Sequence, residues 1–118
     1  MNTITSDTRG VLVLGRSEIE KLLTMREALR AVELSFKLKA EGEAIMPPKL
    51  YLDLSRYHGD FRAMPAYVNG TAGIKWVSVY PNNPKHNLPC VMACIVLSDP
   101  STGRALAFMD GTYITSMR

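Results

Sequence analysis

Residues 59–84 read GDFRAMPAYVNGTAGIKWVSVYPNNP. Two strands joined by a turn at Asn69-Gly70 account for this stretch, and each strand carries one cation among apolar neighbours. Residues two apart in a strand share a face. Arg62 therefore lies on the side of Met64, Ala66 and Val68, with Phe61, Ala63 and Tyr67 opposite. Beyond the turn, Lys75 lies on the side of Val77 and Val79, with Ile74, Trp76, Ser78 and Tyr80 opposite.

A cation on an apolar face is costly unless an anion meets it. If the two strands are neighbours with these faces aligned, two positive heads converge and suit a small carboxylate held by charge-assisted hydrogen bonds. The plainer reading is that both side chains snorkel to the rim or pair with Asp and Glu elsewhere. Periodicity alone leaves both readings open.

Upstream, Lys49 to Leu54 alternates, with Leu50, Leu52 and Leu54 on an apolar side and Lys49, Tyr51 and Asp53 on the other. Spacing gives Lys49 a solvated face. Ser55 to Gly59 closes a hairpin into the Arg62 strand. Closer to the N-terminus, Val11 to Leu14 reads as a short strand. Ser17 is a candidate cap for a short helix carrying Ile19, Leu22 and Leu23. Thr24 and Glu27 form a capping-box pair for a longer helix whose Met25, Ala28, Leu29, Val32, Phe36 and Ala40 share a face. Gly42 and Pro47-Pro48 stop it. Residues 1–9 are polar and read as a loose terminus.

Downstream, residues 82–89 form a Pro-rich loop in which Asn87 suits a left-handed position. Val91 to Leu97 is apolar on both faces, the pattern of a strand covered on both sides. Asp99 to Gly103 is a turn, Arg104 to Met109 a last strand, and Asp110 or Thr112 a cap for a short terminal helix. The expected fold is α+β: N-terminal helices packed on a mostly antiparallel sheet, one domain over residues 1–118.

Composition narrows the function. A hydrophobic share of 47% and a charged share of 21% fit an ordinary globular domain. The net charge of +3, with scattered Lys and Arg, is no nucleic-acid footprint. The sequence shows neither a signal peptide nor an apolar run long enough for a membrane span, so the expected location is the cytoplasm. Cys90 and Cys94, roughly 13 Å apart if on one strand, are too distant for a disulfide. Without nearby histidine ligands they are a poor zinc site, so no metal is expected. His58 and His86 sit in polar turns. A Walker A loop, an H-E-x-x-H helix and a G-x-G-x-x-G turn are all missing.

With these residues laid out, the chain resembles the ornithine cyclodeaminase/mu-crystallin family, and within it the archaeal-type alanine dehydrogenases. The resemblance is carried by Met46-Pro47-Pro48-Lys49, by Gly59-Asp60-Phe61-Arg62-Ala63-Met64-Pro65-Ala66 and by Gly73-Ile74-Lys75-Trp76-Val77. Asn83-Pro84 with Leu88-Pro89, Asp99-Pro100 with Thr102-Gly103, Met109-Asp110 and Thr115-Ser116-Met117-Arg118 extend it. It implies a substrate-binding and dimerisation domain, followed in the family by a Rossmann domain that binds NAD or NADP. It further implies that Lys75 and Arg118 clamp a substrate carboxylate and that Arg62 assists. Lys49 would be the catalytic lysine near the reacting carbon, where ornithine cyclodeaminases have arginine.

The chemistry so implied is oxidation of an amino-acid Cα–H by hydride transfer to nicotinamide. The partners are a small amino acid or 2-keto acid and a second copy of the chain. The expected activity is alanine dehydrogenase. The alternatives are ornithine cyclodeaminase and a non-catalytic ligand-binding or dimerising module like mu-crystallin. Because the dinucleotide fingerprint is missing, residues 1–118 alone are expected neither to bind NAD or NADP nor to turn over substrate. The chain then reads as a fragment or as a truncated product.

Overall fold

The computed structural model describes residues 10–118, so the reading of residues 1–9 lies outside the described residues. The elements run β1 (Leu12–Leu14), α1 (Arg16–Leu22), α2 (Met25–Ala40), β2 (Leu50–Leu54), β3 (Gly59–Val68), β4 (Thr71–Val79), β5 (Val91–Ser98), β6 (Ala105–Asp110) and α3 (Thr112–Met117). The strands form one six-stranded sheet in the order β1-β6-β5-β4-β3-β2. Every pairing is antiparallel except β1 with β6. The architecture is the expected α+β one.

Local chemistry explains most boundaries. The β3–β4 turn has both Asn69 (φ 50°) and Gly70 (φ 78°) in left-handed backbone, the conformation that a two-residue hairpin turn requires. It locks the register in which Arg62 faces Val77 and Met64 faces Lys75. The Thr24–Glu27 capping box forms as expected, with Glu27 N–H donating to Thr24 Oγ1 at 3.2 Å and Thr24 N–H to Glu27 Oε2 at 2.9 Å. Gly42 takes the left-handed position just beyond α2, and Asn87 does so in the Pro-rich loop.

Three expectations need correction. The cap of α1 is Gly15 and not Ser17, because Glu18 reaches back to the Gly15 N–H at 2.9 Å and draws the helix start upstream. Gly111 occupies the cap position of α3; Asp110 Oδ2 accepts the Tyr113 N–H at 3.3 Å, while Thr112 Oγ1 is engaged across the chain by the Ala93 N–H at 3.0 Å. The third concerns β5, which is covered on one face only.

That covered face carries the core. Leu14, Ile19, Ala107 and Met109 are buried together, with Leu12, Ile95, Leu97, Tyr113 and Ile114 packed around them. α1 and α3 supply the cover. The opposite face holds Val13, Leu50, Leu52, Ile74, Trp76 and Phe108, all exposed, with Phe61 and Trp76 stacked at 5.0 Å between ring centroids. The apolar stripe of α2 is also largely uncovered: only Ala28 is buried, whereas Phe36 is 72% exposed. Periodicity identified both apolar faces correctly but could not say what covers them.

Candidate carboxylate-binding site

The register assembles the site on the helix-covered face. Leu14, Met109, Ile95, Lys75 and Met64 form one row across five strands. Lys49 directly precedes β2, whose Leu50 pairs with Ala63, so it stands at the end of this row beyond Met64. Ala93, Val77, Arg62 and Tyr51 form the next row on the same face. Lys49 is exposed, as its spacing suggests, and the pairing adds that it lies on the face that carries Lys75 and Arg62.

The chain leading to Lys49 is held in place before β2 begins. Ile45 and Tyr67 exchange two backbone hydrogen bonds, at 2.9 and 2.8 Å, and Pro47-Pro48 stiffens the path from there. A hollow of about 330 Å³ lies between α2 and this segment, with Val32, Phe36, Ile45, Met46 and Ala66 as walls and Arg118 at its margin.

Lys75 is half-buried, and its ammonium donates to Thr115 Oγ1 at 3.3 Å. Thr115 in turn donates to the Gly111 carbonyl at 2.6 Å, so that hydroxyl is oriented to accept from Lys75. Among the described residues no carboxylate pairs with Lys75. Its pKa is pushed down from 10.5 to about 8, first by burial and then by the neighbouring charges of Arg118 and Lys49. Lys49, Arg118 and Lys75 thus share one region. An incoming carboxylate would offset the like-charge repulsion and favour the charged ammonium.

Arg62 differs. Its Nε donates to Asp60 Oδ1 at 2.8 Å and its Nη2 to Asp60 Oδ2 at 3.3 Å, a two-point ion pair that raises the guanidinium's already high pKa. The Tyr51 ring lies 4.8 Å from Arg62 Cζ and 5.6 Å from Lys49 Nζ, within cation–π range of both. Sequence reasoning missed Asp60, Tyr51 and Thr115. The alternation that flagged Arg62 also places Asp60 on its side of β3. Tyr51 and Thr115 needed the strand pairing and the chain's return.

The connection from β6 to α3 is Gly111 alone, and α3 spans six residues. The Asp110 carboxylate occupies the position at its N-terminus where a phosphate would have to sit. Among the described residues no group of His, Cys, Asp and Glu that could hold a metal ion occurs, and no helix is long and apolar enough to cross a membrane.

A mostly antiparallel sheet backed by helices, with Lys75, Arg62 and Lys49 on the backed face, defines the class as an α+β domain. The family profile of the ornithine cyclodeaminase/mu-crystallin family matches residues 10–118, and the chain belongs to that family. It is 52% identical over 107 residues to the alanine dehydrogenase of Archaeoglobus fulgidus, covering 91% of this chain and 33% of that protein. The solved dimer of an archaeal alanine dehydrogenase with bound NAD superposes with a TM-score of 0.88 at 52% identity, over 92% of this chain and 33% of that one. Thermococcus litoralis Δ1-pyrroline-2-carboxylate reductase, solved with NADH and L-proline, gives a TM-score of 0.88 at 40% identity, over 91% and 34% of the two chains. The chain spans about a third of the length of these relatives.

Proposed function

We propose that this chain is the substrate-binding part of an NAD- or NADP-dependent amino-acid dehydrogenase, with alanine and pyruvate as its substrate pair. The observation that carries the reading is Lys75: half-buried, without a carboxylate partner among the described residues, and pressed by Lys49 and Arg118. Lys75 and Arg118 receive the substrate carboxylate, and Arg62 borders it. Lys49 faces the reacting carbon from the end of the row. Fixing the carboxylate orients the Cα–H, so positioning and charge complementarity are this domain's share of catalysis. An NAD or NADP bound by the complete protein would supply the hydride acceptor. Lysine at position 49, where ornithine cyclodeaminases carry arginine, favours alanine over ornithine.

A second copy of the chain completes the assembly in this reading. The bare sheet face is a contiguous apolar surface of the kind that marks an interface, and the archaeal alanine dehydrogenase of similar fold is a dimer. The activity is tested on the complete protein with NAD and NADP in turn, offering L-alanine, L-ornithine and L-proline. Alanine-dependent reduction of the cofactor, reversed by pyruvate with ammonia, is the expected result. Turnover of ornithine or proline alone would replace alanine as the substrate. Turnover of none would overturn the dehydrogenase reading.

A further inference from the structure

We infer that Asp60 determines specificity: by neutralising Arg62 on the site face, it restricts the site to monocarboxylates and keeps dicarboxylates out. This rests on the reading of Lys75 as the carboxylate anchor. Arg62 faces Val77, two residues along β4 from Lys75, so the two cations are diagonal neighbours on one face. Diagonal positions on paired strands lie about 7–8 Å apart, within reach of long side chains. That spacing suits a short dicarboxylate, one carboxylate on Lys75 and the other on Arg62.

Asp60 removes the second half of that arrangement. It is on the same face of the same strand, and it engages Nε and Nη2 of Arg62 together. The Tyr51 ring covers the guanidinium at 4.8 Å and helps to hold it there. A second substrate carboxylate would have to displace an anion already making a two-point contact, or else sit close to the Asp60 charge. Among the described residues Lys75 has no such internal anion; its partner there is the neutral Thr115 hydroxyl. One cation is open and its diagonal neighbour is closed. Exclusion of an unwanted ligand by a built-in repulsive charge is a general route to specificity.

The test is a titration of the chain with propionate and with succinate at low salt, followed by NMR shift changes, in wild type, Asp60→Asn and Asp60→Asn/Arg62→Met. Asp60→Asn is near-isosteric and leaves Arg62 charged but unpaired. Its ratio of succinate to propionate affinity should rise about tenfold over wild type. The double variant should return to the wild-type ratio. A merely structural role for Asp60 would weaken both acids together and leave the ratio unmoved, which would overturn the inference. So would a gain that survives loss of Arg62, since the effect would then be the general field of the site. If propionate fails to bind wild type at all, the carboxylate reading of Lys75 falls, and the inference falls with it. The Arg62 Nε–H resonance separates the cases. Its protection in wild type and loss in Asp60→Asn reports the ion pair independently of any ligand.

Discussion

At the scale of the residue, Lys75 links stability to pH in a direction that can be worked out. Folded Lys75 releases its proton near pH 8, against 10.5 for a solvated lysine. Between these values the unfolded chain binds more protons than the folded one, so this residue's contribution to stability rises with pH across that window. Below pH 8 the charged, desolvated ammonium is a cost to the fold. Lys75→Met should therefore be more stable than wild type at pH 7, by an advantage that shrinks as pH rises from 8 to 10.5. Urea unfolding at several pH values measures this. An advantage that stays constant with pH would show that Lys75 is not perturbed. Ligand binding has the opposite preference: a carboxylate needs the protonated amine, so its affinity should fall above pH 8, with proton uptake on binding in that range.

At the scale of the element, Gly59 opens β3 against the side of the Tyr80 ring, where an added Cβ would come within 2.5 Å of ring carbons. Tyr80 is itself held edge-on by Phe61 at 5.8 Å between centroids, so the ring cannot simply step aside. Gly59→Ala should cost about 1–3 kcal/mol in chemical denaturation, the usual range for overpacking. Thr24→Ala, which removes the α2 cap, should cost about 0.5–2 kcal/mol. These elements were legible in the sequence because their causes are local: Asn-Gly at a hairpin, Thr and Glu three apart at a helix start, alternation along a strand. The site was legible in part. Alternation picked out Arg62 and Lys75, and resemblance added Lys49 and Arg118. That Arg62 is closed by Asp60 while Lys75 is left open depends on which strands pair and where α3 returns to place Thr115. Spacing along one strand carries no such information, and for the same reason it read Lys49 as solvated, which it is, without showing that Lys75 lies on the same face.

At the scale of the molecule, one sheet face is backed by α1 and α3 and the other is bare, with Trp76, Ile74 and Phe108 exposed upon it. Sedimentation at micromolar concentration should show a dimer, and Trp76→Glu, which places a charge on that face, should give a monomer with the fold intact. A wild-type monomer would count against the face as an interface. The cofactor expectation belongs here too: titration of this chain with NADH or NADPH should show no saturable binding, because Asp110 holds the one late helix start, and micromolar binding would reveal a nucleotide site elsewhere. Everything proposed for the whole molecule depends on an anion entering the cluster formed by Lys49, Lys75 and Arg118. The most direct measurement is calorimetric titration of wild type and Lys75→Met with pyruvate at pH 7 and low salt. The account predicts saturable binding to wild type, weakened in Lys75→Met by about 2–5 kcal/mol, the cost of removing one partner of a desolvated charge pair. Equal affinity in the two proteins would contradict it.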